Sequence, residues 1–248
     1  MTTVKNIYDY INSIAPFDTQ EEWDNSGFLI GEYRKEVKTA VLSLDGTKTA
    51  VDFAQSVNAD LLLTHHPVIF SGLKKLEKSS AVYELVNSDI AVISSHTPYD
   101  KAKGGINDCL AEMLELENTE TLDNGYLVSG DLKQEMSIDD FAQFVGEKLN
   151  SKGLRYTDTD KLIKRVCVGG GACAEYMWDA FEKADCFVTG DLKYHDMLDL
   201  SEAGFACISA GHFETENLPF LNIKKRLEEI FTDVQFMIAP VKNVVMDI

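Results

Sequence analysis

The chain has 248 residues, of which 45% are hydrophobic. That is enough for one large domain or two of roughly 125 residues with real cores, and it argues against a disordered chain. Its 23 Lys and Arg stand against 41 Asp and Glu, a formal charge of −18, which disfavours non-specific nucleic-acid binding but suits a local site whose carboxylates take divalent cations. No apolar run approaches the roughly 18 residues of a membrane span, and the N-terminus, MTTVKNIYDYINSIAPF, carries Lys5 and Asp9 where a secretory signal would be uninterruptedly apolar. The five cysteines (109, 167, 173, 186 and 207) are odd in number and form no C-x-x-C pair, which argues against a disulfide framework or zinc ribbon and makes a reducing cytoplasm the expected location.

In chain order, Val4, Ile7, Tyr8, Ile11 and Ile14 recur at helical spacing before Pro16, and Ala40 to Leu44 reads as a strand ending in Asp45-Gly46. Residues 48–58 place Val51, Ala54 and Val57 on one helical face, and Leu61 to Leu63 and Ala91 to Ile93 are short buried-strand candidates. Strands alternating with helices predict an α/β fold. Sliding the sequence by 125 residues puts Val41 on Val166, Ala59-Asp60 on Ala184-Asp185 and Thr64 on Thr189. A helix precedes each copy, the second over 137–149, where Ser137 and Asp140 resemble a capping box ahead of Phe141, Phe144 and Val145. AVISSH (91–96) resembles ACISAGH (206–212) with one residue inserted, and each histidine is followed four residues later by a carboxylate, giving the pairs His96/Asp100 and His212/Glu216. The expectation is two related α/β domains, 1–125 and 126–248, arising by internal duplication. Asn124-Gly125 marks the turn between them, and a strand such as Val234 to Ile238 is placed to cross back and interlock the halves.

All five histidines lie near the ends of expected strands or in the turns that follow, where α/β proteins build ligand crevices. His65 and His66 converge on one crevice only if their strand ends there, and Pro67 enforces such an ending. The alternative is that one caps a carbonyl while the other is exposed. His212 with Glu216 and His96 with Asp100 add further nitrogen and oxygen donors, a ligand set for transition metals. His-x-x-x-Glu spacing places both groups on one face if Phe213 to Thr215 is helical, and a loop there is the alternative. A carboxylate such as Glu216 has two oxygens and can bridge two cations.

DLLLTHHPVIF (60–70), SSHTPYDKAKGGIND (94–108), VTGDLKYHD (188–196) and AGHFETE (210–216), with WDNSGFLIG (23–31), resemble the Nif-three-like dinuclear-metal-centre family, whose members are often labelled GTP cyclohydrolase 1 type 2 homologues. The similarity spans Trp23 to Glu216; the metal positions show no departure, and the extra central domain of longer members is absent. The resemblance implies that His65, His66, Asp100, His212 and Glu216 bind two divalent ions, with Glu216 shared, in a cleft between two related α/β domains of a Nif-three-like fold. It also implies homohexameric rings, and His96 is not a usual ligand of the family. In the second copy Gly190-Asp191 stands where the first has His65-His66.

A dinuclear site suits hydrolysis, so the expectation is a metal-dependent hydrolase acting on a small molecule, a nucleotide or phosphoester, with zinc, manganese, iron or nickel as the ions. His96 and His195 are the candidates for proton transfer, with a hydrogen-bonded supporting position beside the ligands or a place on the surface as the alternative. The rival is a non-catalytic metal-handling protein or oligomeric scaffold built on the same ligands. A third reading, a nicotinamide enzyme, rests on VCVGGGACA (166–174), which fits G-x-G-x-x-A but has no acidic residue well placed after a second strand, and tight packing explains its glycines as well. WDNSGFLIG reads either as a substrate loop presenting Trp23 or as a turn whose aromatic plugs the core. Cys167, Cys186 and Cys207 read as buried small hydrophobes, and Lys224 to Arg226 as part of a solvated helix face.

Overall fold

A computed structural model describes residues 1–122 and 124–246. The elements in chain order are α1 (Val4–Ile14), β1 (Gly27–Ile30), β2 (Thr39–Ser43), α2 (Lys48–Ser56), β3 (Leu61–Thr64), α3 (Ala81–Asn87), β4 (Ala91–Ser94), α4 (Thr97–Lys101) and α5 (Ile106–Met113). They continue with β5 (Glu117–Thr121), β6 (Val128–Met136), α6 (Ile138–Leu149), β7 (Arg155–Tyr156), β8 (Ile163–Gly169), α7 (Met177–Phe181), β9 (Cys186–Thr189), α8 (Tyr194–Glu202), β10 (Ala206–Ser209), α9 (His212–Leu221), α10 (Ile223–Ile230) and β11 (Gln235–Ile238). Helix starts follow local chemistry. Thr3, Thr47, Ser80 and Ser137 each accept a backbone N–H of the first turn they precede, which satisfies a donor the helix itself cannot.

The chain divides into two compact units, Met1–Gly105 with Phe220–Lys242, and Ile106–Pro219 with the residues from Asn243. The division falls at Gly105, ahead of the expected boundary near residue 125, because Leu110, Ala111, Leu114 and Leu116 bury their side chains in the core of the second unit. In the first unit the sheet order is β1-β4-β3-β2-β11, with β2, β3, β4 and β11 parallel and β1 antiparallel. The strand expected at Val234 to Ile238 therefore forms over β11 and joins the first sheet. In the second unit the order is β5-β6-β8-β9-β10-β7, with β8, β9 and β10 parallel and the others antiparallel to their neighbours.

The parallel strands are short and apolar on both faces, as strands covered by helices must be: Leu61, Leu62 and Leu63 are buried, as are Cys186, Phe187 and Val188. Asp60 Oδ2 accepts the N–H groups of Lys38 and Thr39 at the start of β2, and Asp185 Oδ2 does the same for Lys164 and Arg165 in β8. The same device thus recurs at the start of one parallel strand in each unit. Because Leu62 is fully buried among Val41, Val51 and Val92 on the strand that delivers His65, Leu62→Ala is expected to destabilise the protein by roughly 2–5 kcal/mol, read from urea unfolding.

Candidate metal centre

In the first unit β3 and β4 end side by side, with the Thr64 and Ser94 hydroxyls 2.7 Å apart. The ladder stops at Thr64 because the N–H groups of His65 and His66 both turn onto the Leu44 carbonyl, at 3.1 and 3.0 Å, and Pro67 has no N–H with which to resume it. Release from the pleat lets two adjacent side chains point the same way, and the two rings lie 4.9 Å apart. His96, just past β4, brings its ring to 5.1 Å from His65 and 5.3 Å from His66. Each of the three offers a ring nitrogen within 4.8 Å of the others.

Every ring is held through Nδ1. His65 Nδ1 is 2.8 Å from the Ser95 carbonyl, His66 Nδ1 is 2.7 Å from Asp45 Oδ1, and His96 Nδ1 is 2.9 Å from Asp24 Oδ1. A carbonyl or an ionised carboxylate can only accept, so Nδ1 carries the hydrogen and the lone pair of the neutral ring sits on Nε2. Metal-binding histidines are oriented in this way. Asp100, on α4, places Oδ1 3.4 Å from His65 Nε2.

The residue behind His96 is the most elaborately held of these acceptors. Asp24 also accepts from the hydroxyls of Ser26 and Thr97 and the N–H groups of Asn25 and Thr97. Burial by itself raises its pKa, but the hydrogen bonds from His96, Thr97 and Ser26 outweigh burial and hold the carboxyl well below the usual carboxylate range. The Trp23 side chain of WDNSGFLIG does not plug the core. Asp24 is an interior anchor, whereas Trp23 is 56% exposed and stacks on Phe70.

In the second unit His212 opens α9 and Glu216 lies one turn on, so the His-x-x-x-Glu segment is helical and puts Glu216 Oε2 3.0 Å from His212 Nε2. His212 Nδ1 is 2.7 Å from Asp191 Oδ2. Burial alone would lower the His212 pKa, but the two carboxylates on its two nitrogens push it up to about 10. The glycine loop packs beneath this turn. Gly170 N–H donates to Asn107 Oδ1 and Gly171 N–H to Thr215 Oγ1, so both amides are engaged within the protein, and packing accounts for the glycines. Gly171 has φ of +63°, and a Cβ there would meet Glu216 Oε1 at 1.9 Å. A cavity of about 310 Å³ beside His212 is lined by Arg155, Asp191, Phe213 and Glu214 among others.

His195 stands exposed at the start of α8 with its ring against Tyr194; among the described residues it joins none of the donor clusters. The five cysteines are buried, and burial pushes the Cys167 thiol up to about 12, which leaves it no nucleophilic thiolate near neutral pH. The carboxylates that orient the rings, Asp24, Asp45 and Asp191, are the functional residues that sequence reasoning leaves without that role. The Asp45-Gly46 turn and the Gly190-Asp191 turn at strand ends are the signals that point to two of them.

A family model described as Duf34/NIF3 (NGG1p interacting factor 3) matches residues 2–244. The chain belongs to the Duf34/NIF3 family. A Campylobacter jejuni relative named GTP cyclohydrolase 1 type 2 homolog is 34% identical, covering 97% of both chains. A Helicobacter pylori relative named GTP cyclohydrolase 1 type 2 is 32% identical, covering 87% of this chain and 88% of its own. Among solved structures, a Bacillus cereus protein related to NIF3 aligns over 100% of both chains with a TM-score of 0.92 and 23% identity. Reduced HcgD from Methanocaldococcus jannaschii aligns with a TM-score of 0.83 and 27% identity, over 97% of this chain and 98% of its own. Among the described residues, no helix is long and apolar enough to cross a membrane.

Within this Duf34/NIF3 chain the glycine loop and the Glu216 carboxylate are mutually constraining. Gly171→Ala adds backbone strain of about 1–2 kcal/mol and displaces Glu216. The expected outcome is a lower melting temperature together with reduced metal uptake, measured by thermal unfolding and elemental analysis.

Proposed function

We propose that the chain is a metal-dependent hydrolase whose dinuclear centre is completed by both units, with His65, His66 and Asp100 from the first and His212 and Glu216 from the second. The observation that carries this reading is the common anchoring of the imidazoles, four rings each tied through Nδ1 to a carbonyl or carboxylate. Imidazole and carboxylate donors fit zinc, manganese, iron or nickel, and a carboxylate with two oxygens, such as Glu216, suits sharing between two ions. The recurrence of the Asp60 and Asp185 anchors supports descent of the two units from an internal duplication, and homohexameric rings belong to the same proposal.

When bound, a pair of divalent ions would lower the pKa of a coordinated water and stabilise the negative charge that develops on the oxygens of an attacked phosphoryl group, or on the heteroatom bonded to an attacked ring carbon. The protein's own groups do the rest. Ser95, Asp45 and Asp191 fix the planes of His65, His66 and His212, so the donors need no rearrangement to bind. Asp24 keeps the hydrogen of His96 on Nδ1, which leaves Nε2 to take a proton from the attacking water and return it to the leaving group. Among the described residues His195 has no such orienting partner, and no step is assigned to it. The names of the relatives favour a nucleotide substrate.

Elemental analysis of the protein purified without a histidine tag is expected to find about two ions per chain, and His65→Ala and Glu216→Ala to lose them together with hydrolysis of nucleotides or phosphoesters. Metal retained without turnover on any such substrate would favour the metal-handling alternative, and no metal after reloading would overturn the proposal. The raised pKa of His212 adds a pH dependence with a definite sign. Below about pH 10 the ring holds its proton, so metal loading must expel one proton there. The apparent affinity is expected to climb with pH across the neutral range, by up to about tenfold per unit, and calorimetry in buffers of different ionisation enthalpy is expected to register proton release.

A further inference from the structure

The first unit carries an aromatic surface beside the histidine cluster that the chemistry above does not use. Trp23 and Phe70 are 56% and 49% exposed, although side chains of this size ordinarily go to the interior. They stack on one another, with centroids 5.9 Å apart and planes inclined by 25°. Both rings also meet His96, at 5.6 and 6.0 Å, so the pair lies within one ring's width of the candidate proton carrier.

Neither aromatic is a loosely attached surface group. Asp24, next to Trp23, is the buried anchor of His96, and Asn25 Nδ2 donates to the Ile69 carbonyl, next to Phe70. One pair of neighbouring residues thus ties both aromatics and the imidazole together. A platform held this way loses little conformational entropy when a ligand stacks on it.

The charge pattern names the kind of ligand. In a chain of net charge −18, residues 70–79, FSGLKKLEKS, are all exposed and carry Lys74, Lys75 and Lys78 against a single acid, Glu77. Lys75 pairs with Glu77. The segment that begins at Phe70 is therefore net cationic on a chain that is strongly acidic overall.

We propose that Trp23 and Phe70 form a stacking platform for the base of a nucleotide, with the Lys74–Lys78 loop attracting its phosphate, so that the substrate is a phosphoester that carries an aromatic base, as distinct from a simple one. This deepens the hydrolase reading and rests on it. Stacking on an aromatic face accepts any base and is sensitive to loss of the ring, whereas the lysines would act on any phosphate. The two contributions are separable by probes that carry one feature each.

Only two tryptophans occur in the chain, so Trp178→Phe leaves Trp23 as the sole tryptophan reporter. In that metal-loaded protein GMP is expected to quench Trp23 fluorescence saturably, and ribose 5-phosphate, which has no base, is expected not to. In the otherwise unaltered protein Phe70→Ala is expected to weaken GMP binding about tenfold or more by calorimetry with metal content unchanged. Equal response to GMP and ribose 5-phosphate, no response to GMP, or undiminished GMP affinity in Phe70→Ala would each overturn the platform. Those outcomes leave the hydrolase reading to its own test, since metal content and phosphoester turnover are read independently of Trp23.

Discussion

The hydrogen bond at Nδ1 of each clustered imidazole is the interaction on which the remaining site geometry depends. An unanchored histidine ring has two tautomers and two ring flips, and a cluster of such rings has no defined donor set. Tying Nδ1 to an atom that can only accept removes that degeneracy. The acceptors are themselves placed by strand ends. The Ser95 carbonyl follows β4, Asp45 follows β2, and Asp191 follows β9. The parallel sheets thus act as rulers: where each strand stops determines where an acceptor stands, and the acceptor determines which nitrogen faces the cluster.

A second constraint concerns how closely backbone may approach the site. Gly190 sits where a Cβ would meet the Gly171 carbonyl at 2.6 Å and His212 Cα at 2.8 Å, and Gly171 would meet Glu216. The first turn of α9 is pressed against two strand-following turns whose glycines admit it. Their amides, engaged by Asn107, Thr215 and Gly171 itself, make this a packing device. The same glycine run would serve a phosphate only if those amides were released, at a cost of buried hydrogen bonds.

What the sequence makes legible follows from the range of the interactions involved. α1, α6 and the core strands β2, β3 and β4 are set by apolar spacing and local caps, and they form where periodicity places them. HHP reads correctly as a strand end because Pro67 acts on its immediate neighbours. The anchoring of His96 by Asp24 is not legible, since it joins residues 72 positions apart and depends on β1 lying antiparallel to β4. Strand β5 is exposed at every position and so carries no alternating apolar signal. The unit boundary at Gly105 is hidden for a related reason: α5 is amphipathic wherever it packs, and only the fold decides which core receives Leu110.

The overall acidity and the local chemistry are two sides of one electrostatic arrangement. A net charge of −18 raises the local concentration of divalent cations and lowers that of phosphates, so it favours loading of the donors and opposes arrival of an anionic substrate. Bound cations would reverse the sign only within about 10 Å, because screening confines their influence to about a Debye length. For the proposed anionic substrate, approach from solvent is helped by a cationic stretch, and segment 70–79 follows the histidine pair by only a few residues. On the proposed reading, the order HHP, Phe70, then lysines compresses donors, stacking surface and anion attraction into one excursion from the end of β3.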